Sequence, residues 1–267
     1  MPAVGEPAYR WNWDAPLIVS KHDASTLYFA ANKLFKTTNK GDDWQTISPD
    51  LTQQIDRNEI EVMGQVWTID AVMKNASTTI YGNVVALDES PKKKGLLYVG
   101  TDDGLIQVSE NDGQNWSKYQ TFPGVPMNTR VNMLTASVHQ ENVVFACFNA
   151  QRQGDFKPYV LKSSDKGKTW TNIAANLPIR GTVYCLKQDP VAENLLFVGT
   201  EFGAYFTTDG GLNWTRLSGL PTVAVYDLDI QEREVDLVAA TFGRGFYVLD
   251  NYSPLRILSK ENLQKAA

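Results

Sequence analysis

The sequence predicts an all-β protein, a β-propeller built of four-stranded blades. One eight-residue pattern occurs four times, and each copy lies inside a longer repeat of four strand-like segments. Turn signals separate these segments every ~8–12 residues, which is the spacing of blades rather than of helices. With 267 residues, of which 43% are hydrophobic, the chain can form a sizeable core as one domain.

The octet has the pattern Ser/Thr-x-Asp/Asn-x-Gly-x-x-Trp. Its copies are TTNKGDDW (37–44), SENDGQNW (109–116), SSDKGKTW (163–170) and TTDGGLNW (207–214). The Asp or Asn is expected to accept hydrogen bonds from backbone N–H groups two or three residues later. The Gly supplies a positive φ, and the Trp starts the next strand and buries a large ring over the hairpin. The residues given this structural role are Asn39, Gly41, Trp44, Asn111, Gly113, Trp116, Asp165, Gly167, Trp170, Asp209, Gly211 and Trp214.

These octets are typical of Asp-box, or BNR, repeats. The chain resembles Asp-box β-propellers, in particular the bacterial sortilin-like "BNR-repeat glycosyl hydrolase" group, whose members carry segments similar to RWNWDAP, ISPDLT and FGRGFYVLD. The resemblance covers nearly the whole chain. It implies a propeller fold but not one chemistry, because Asp boxes occur in sialidases, xyloglucanases, sorting receptors and assembly factors.

Five blade-like repeats follow one another, at about residues 13–52, 79–122, 129–177, 181–220 and 222–259. The first four carry an octet. The fifth has none, so NYSP (251–254) is expected to replace it as a turn and LRILS (255–259) to form the fourth strand. Residues 53–79 form an insertion that is too long for an ordinary connection and is therefore either functional or separately structured. The tail KENLQKAA contains helix-forming residues.

Composition excludes several classes of function. The net charge is −5, and Lys and Arg form no basic run, so we expect no nucleic-acid partner. The longest apolar runs are strand-sized, far below the ~20 residues of a membrane span. Cys147 and Cys185 lie in apolar strand patterns and are expected to be buried thiols, although a disulfide stays open. The first residues contain no signal peptide, which leaves open export as part of a longer bacterial precursor.

The strand order predicts where a ligand would bind. If the octets join the third and fourth strands of each blade, the second-to-third-strand loops and the connections between blades lie on the opposite face, where propellers usually bind ligands. Acidic, arginine and aromatic side chains expected on this rim suit a carbohydrate or peptide. These ligand-binding candidates are Asp102, Asp103, Glu201, Arg130, Arg152, Arg180, Arg244, Trp11 and Trp67.

Two functions remain open at this stage. The first is a non-catalytic binding or scaffold propeller for a protein or glycan. The alternative is a glycoside hydrolase, or part of one, in which Asp102 or Asp103 acts together with Glu201 as the carboxylate pair. Sialidase and xyloglucanase catalytic motifs cannot be matched residue by residue, so the sequence favours binding. It predicts no cofactor and no metal site, because each octet offers only one or two carboxylates.

The repeat count leaves the completeness of the propeller open. Five blades either close as a single domain or form the C-terminal portion of a larger propeller, and we favour the second reading. An unclosed ring exposes two apolar blade faces, so in that case the chain is expected either to self-associate or to close its five blades into a tighter ring.

Overall fold

A computed structural model describes residues 2, 4–62, 64–68, 70–72 and 81–258. The expected helical tail and residues 73–79 of the insertion lie outside the described residues. The described part is all-β, with three short 3₁₀ helices at Arg57–Glu59, Gln151–Gln153 and Ser253–Ile257. None of its helices has the length and apolar character needed to cross a bilayer.

The strands follow the four-segment repeat read from the sequence. In chain order they are β1 Leu17–Val19, β2 Leu27–Ala30, β3 Leu34–Thr37, β4 Gln45–Thr46, β5 Glu61–Val62, β6 Gln65–Val66, β7 Val84–Glu89, β8 Leu97–Thr101, β9 Ile106–Ser109, β10 Ser117–Tyr119, β11 Arg130–Ala136, β12 Val144–Asn149, β13 Tyr159–Ser163, β14 Thr171–Asn172, β15 Val183–Gln188, β16 Leu196–Thr200, β17 Gly203–Thr207, β18 Thr215–Arg216, β19 Val225–Gln231, β20 Asp236–Thr241 and β21 Phe246–Leu249.

The strands form antiparallel sheets in simple sequential order. Blades one to four are the four-stranded sheets β1–β4, β7–β10, β11–β14 and β15–β18, and blade five is the three-stranded sheet β19–β21. A separate hairpin, β5–β6, lies in the insertion. This up-and-down order with tight connections is the architecture of a propeller blade, so the predicted fold class is confirmed.

The predicted fourth strand of blade five is wrong. Residues Ser253–Ile257 form a 3₁₀ helix instead. Arg256 donates to the buried carboxylate of Asp189 through Nε, at 3.1 and 3.0 Å, and through a terminal nitrogen at 2.8 Å. The Tyr252 hydroxyl donates to the same carboxylate at 2.7 Å, and its ring packs edge-on against Phe197. The segment therefore ends blade five by bonding to blade four.

The chain forms two compact units. The N-terminal unit comprises the described residues up to Gln120 together with Met127–Val131, and the C-terminal unit comprises Thr121–Pro126 and the described residues from Asn132 onwards. In the N-terminal unit, Tyr28, Leu34, Val84 and Leu97 belong to the core between blades one and two. In the C-terminal unit, two clusters fill the spaces between blades three and four and between blades four and five.

The four box octets have the same hydrogen-bond pattern. The first residue's hydroxyl accepts the N–H of the box Gly, at 2.8–3.1 Å, and donates to the Asp or Asn side chain at 2.7–3.1 Å. The same side-chain oxygen accepts the N–H four residues later at 2.8–3.0 Å, one residue beyond the expected offset. In the third and fourth boxes the carboxylate also bonds to the backbone three residues later, at Lys168 and Leu212, as expected. All four glycines have a positive φ, between 86° and 104°. The turn is therefore closed by side chains from within, as a structural element.

The box tryptophans are not equally buried. Trp170 and Trp214 are 9% and 4% exposed, Trp116 is half-buried, and Trp44 is 40% exposed. The expectation of a buried ring is thus correct for two boxes and wrong for Trp44. In the other boxes, a residue of the preceding blade packs against the tryptophan ring and shields it from solvent. In the C-terminal unit, for example, Phe122 lies edge-on to Trp170 with ring centroids 5.9 Å apart.

Small residues on the second strand of a blade allow the next blade to approach closely. A Cβ on Gly199 of β16 would come within 2.5 Å of the Val225 carbonyl oxygen and 2.6 Å of the Cys185 sulfur. A Cβ on Gly100 of β8 would lie 2.5 Å from a methyl carbon of Val131. Real Cβ atoms do not approach other atoms so closely, so these glycines are required for packing rather than for a turn. Cys147 and Cys185 are buried free thiols, as expected.

We predict that box tryptophan substitutions differ in cost according to burial. Trp214→Ala should lower the free energy of unfolding by about 3–5 kcal/mol, because it empties a core site. It also removes the bond from Nε1 to the Ile173 carbonyl, which is 2.8 Å long. Trp44→Ala should cost less than half as much. Urea unfolding followed by circular dichroism measures both, and equal costs would contradict this account of the boxes.

Candidate functional site

Two stacked tyrosines lie near the start of the first strands of blades four and five, in the C-terminal unit. Tyr184 on β15 and Tyr226 on β19 occupy the same position of successive blades, and their ring centroids are 4.4 Å apart at an interplanar angle of 25°. The strand register shifts at both residues, between Val183 and Cys185 and between Val225 and Asp227. Such a bulge turns a side chain out of the normal alternation of the strand. The same bulge at both positions explains why the two rings face each other.

One ring of the pair, Tyr184, is buried and fixed, and the other, Tyr226, is exposed to solvent. Tyr184 is buried, and its hydroxyl accepts a hydrogen bond from the Gln151 amide nitrogen at 2.9 Å. Burial, with a smaller contribution from the charge of Glu201, raises the pKa of Tyr184 to about 12, so its hydroxyl stays protonated. Tyr226 is 48% exposed and rests on this fixed base. The pair therefore presents a preorganised aromatic surface to solvent.

Phe242 extends the aromatic surface. Its ring lies 5.5 Å from that of Tyr226, tilted by 54°, and is 71% exposed. Backbone hydrogen bonds hold the rim loops in place, because Phe242 N–H donates to the Ala224 carbonyl at 2.9 Å and Glu201 N–H to the Thr182 carbonyl at 3.0 Å. Flat rings supported in this way can stack against the apolar face of a sugar or against another planar group.

Asp102, a rim candidate, faces inwards in the N-terminal unit. It is 5% exposed, and one carboxylate oxygen accepts the N–H groups of Gly82 and Asn83 at 3.1 and 2.7 Å. The other oxygen accepts from the Asn83 side chain at 3.2 Å. Burial raises the pKa of Asp102, against these hydrogen bonds and the nearby charge of Arg130, which lower it. The expected exposure is wrong because the carboxylate satisfies the backbone of the turn before β7.

Asp103 is also buried, with no exposed surface. One oxygen accepts the Gln53 N–H at 2.7 Å, and the other accepts the Thr101 hydroxyl. The Gln53 side-chain amide adds bonds to the Asp103 carbonyl and to Asn128. Asp103 thus fixes the start of the insertion to blade two. Burial is the main cause that raises the pKa of Asp103 to about 6, and the neighbouring charge of Asp102 adds to the rise.

Arg10, which the sequence reasoning missed, anchors the segment before blade one. Its guanidinium donates to Asp50 at 2.7 Å, to the Thr52 hydroxyl at 2.8 Å and to the Gly82 carbonyl at 3.0 Å. The following Trp11, a rim candidate, lies on the face of the blade-one sheet, with its ring 4.7 Å from that of Phe29. It covers apolar surface there and is 39% exposed.

The remaining rim candidates are distributed over both units. In the N-terminal unit, Arg130 is half-buried at the start of β11 and Trp67 is 42% exposed after β6. In the C-terminal unit, Arg152, Arg180 and Arg244 are exposed and Glu201 is half-buried. The structure brings one group of candidates together, Asp102 with Asp103 and Arg130, and it places Glu201 close enough to Tyr184 for its charge to act on that ring. No group of three or more metal-ligating side chains occurs within the described residues.

A sequence signal for the aromatic surface was present. The segments VYCLK and VYDLD place Tyr184 and Tyr226 at the same repeat position, and Phe242 stands in the TFGRG loop already assigned to the rim. The tyrosines lie within strands, and the candidates taken from the second-to-third-strand loops were charged, so none of the three was among the candidates. Gln151 could not have been identified, because its contact with Tyr184 joins blades three and four.

Comparison with known proteins relates the chain to propellers. Residues 10–250 match the family model described as the DUF6242 beta propeller domain. A probable oligoxyloglucan-reducing end-specific xyloglucanase of Neosartorya fischeri is 30% identical over 152 residues, which cover 51% of this chain and 18% of that protein. A xyloglucanase of Hypocrea jecorina is 24% identical over the same shares. The chain therefore spans about a fifth of the length of the curated relatives it matches.

Solved structures agree on the fold. The GH74 xyloglucanase of Xanthomonas campestris superposes with a TM-score of 0.63 at 16% identity, covering 92% of this chain and 37% of that chain. An ancestral GH74 enzyme gives a TM-score of 0.62 at 18% identity, covering 87% of this chain and 28% of that chain. At these identities the likeness concerns the propeller fold alone.

We predict a pH-dependent effect of Asp103→Asn. Because the native pKa of about 6 lies above the ordinary 3.8, the native state holds this proton more strongly than the unfolded chain. The resulting stability is complete below about pH 4 and lost as pH rises through about 6. The stability of the wild type relative to the variant should therefore fall by about 2–3 kcal/mol between pH 4 and 7.5.

Urea unfolding at a series of pH values checks this difference. Asp23→Asn serves as the control, because hydrogen bonds from Ser25 hold the pKa of that carboxyl at about 2. Its titration lies below the tested range, so its difference from the wild type should stay constant. A constant difference for Asp103→Asn as well would contradict the buried, proton-holding carboxyl.

Proposed function

The chain belongs to the DUF6242 β-propeller domain family, and from this premise we propose that it is a non-catalytic module that binds a carbohydrate chain on Tyr226. The observation that carries the proposal is the exposed ring of Tyr226 stacked on the buried, hydrogen-bonded Tyr184. The resemblance to sortilin-like Asp-box propellers is part of the same proposal and is supported by the four octets.

Preorganisation is the physical reason to favour this surface. A sugar ring that stacks on a mobile aromatic side chain has to immobilise it, whereas Tyr226 is already held by its partner, so less conformational entropy is lost. Phe242 offers a second ring at an angle, which suits a chain of successive sugar units rather than a single one. The two xyloglucanase relatives support xyloglucan as the first ligand to test.

Glycoside hydrolysis is the second candidate, supported by the same relatives and by the raised pKa of Asp103. We place it second because Asp102 and Asp103 spend their oxygens on the protein's own N–H and O–H groups. A glycosidase needs two carboxyl groups that flank the bond to be cleaved. Release of reducing ends from xyloglucan by the wild type, lost in Asp102→Asn, would favour the hydrolase over the binding module.

We predict that Tyr226→Ala weakens glucan binding by about tenfold or more, because stacking on the exposed ring is lost. Phe246→Ala is the matched control, since this ring in the same unit is 76% exposed and lies on β21. Isothermal titration with xyloglucan oligosaccharides measures both. Undiminished binding by Tyr226→Ala would remove this surface from the account, and failure of the wild type to bind any of a panel of polysaccharides would remove the function.

A further inference from the structure

In two of the boxes, a residue of the preceding blade's exit segment packs directly against the box Gly. In the N-terminal unit, Ile47 follows β4 and lies over Gly113, where a Cβ would come within 2.6 Å of the Ile47 carbonyl oxygen and 2.9 Å of its Cδ1. Ile47 also packs on the same core cluster as Trp116. The absence of a side chain at Gly113 is therefore what admits the isoleucine.

The C-terminal unit repeats this contact with more hydrogen bonds. Ile173 follows β14 and lies over Gly211, with its Cβ 2.8 Å from where a glycine Cβ would stand. Trp214 Nε1 donates to the Ile173 carbonyl at 2.8 Å. Asn176 holds the Trp214 backbone from both sides, accepting its N–H at 2.7 Å and donating to its carbonyl at 3.0 Å. A segment of the form Ile-x-x-Asn thus closes the box, and it turns at Ala175, where φ is 39° and the Leu177 N–H donates to the Ala174 carbonyl at 2.9 Å.

The first box is open at the corresponding place. Around Gly41, a Cβ would meet only atoms of Trp44 itself, at 3.8 and 3.9 Å. Trp44 is 40% exposed and touches Phe29 of its own blade, with ring centroids 6.1 Å apart. Among the described residues, none accepts a hydrogen bond from Trp44 Nε1. The turn itself is intact, with the same hydroxyl and Asn bonds as the other boxes.

We propose that the open first box, formed by Gly41 and Trp44, binds a turn-forming segment of a partner polypeptide. The segment places a branched aliphatic side chain over Gly41, a backbone carbonyl at Trp44 Nε1 and a side-chain amide at the Trp44 backbone. These are the groups that Ile173 and Asn176 supply to the fourth box. A peptide fits better than a sugar, because the open position offers space for a side chain over Gly41 and an indole N–H as a donor. A sugar would instead need an exposed aromatic face on which to stack.

The chain itself supplies the probe. A synthetic peptide of residues 171–178, TNIAANLP, copies the segment that closes the fourth box. It is titrated into ¹⁵N-labelled full chain, which has seven tryptophans and hence a short list of indole N–H signals. The Trp44 signal is assigned with the Trp44→Phe variant, which keeps a ring and loses the donor. The control peptide carries Ile173→Asp.

We expect a saturable shift of the Trp44 indole signal with the native peptide, at a Kd in the range of about 0.1–1 mM for so short a segment. The Ile173→Asp peptide should bind at least about tenfold more weakly. No shift at millimolar peptide, or equal shifts with both peptides, would overturn the proposal. A shift with xyloglucan oligosaccharides but not with the peptide would overturn it as well, in favour of a sugar platform. None of these outcomes depends on ligand binding at Tyr226.

Discussion

The hydroxyl of the first box residue is the contact on which the turn geometry depends. In all four boxes it accepts the glycine N–H and donates to the Asp or Asn, which in turn accepts the N–H four residues later. This chain of bonds closes the loop between the third and fourth strands without help from outside the octet. In the second to fourth boxes the tryptophan also packs against the preceding blade, so one local motif contributes to both the hairpin and the packing between blades.

Packing between blades then depends on the absence of side chains. Gly100 and Gly199 admit the first strand of the following blade, and Gly113 and Gly211 admit the exit segment of the preceding one. Because a Cβ at any of these four positions would lie within 3.0 Å of an atom of the neighbouring blade, a side chain there would force the blades to shift. The bulge at Tyr184 and Tyr226 occurs on the same first strands. The aromatic surface at Tyr226 thus depends on the conformation of the first strands of blades four and five.

The sequence was sufficient for the fold because its signals are local. The octets, the LLYVGT-type strands and their spacing identify sheets, order and turns without any knowledge of distant contacts. It was insufficient where a residue's environment comes from another segment. Asp103 reads as a polar loop residue, yet Gln53 and Thr101 hold it buried. LRILS reads as a strand, yet Arg256 is captured by Asp189. Trp44 reads like Trp214, yet only the latter has its covering isoleucine.

We propose that a carbohydrate binds at Tyr226, near the start of the first strand of blade five, and that the box turns do not contact it. Backbone chemical-shift mapping of the full chain during titration with a xyloglucan oligosaccharide distinguishes these two roles. We expect the largest shifts at Tyr184, Tyr226 and Phe242, with the amides of the four box turns unchanged. Shifts concentrated in the box turns, with the tyrosine pair unaffected, would contradict it.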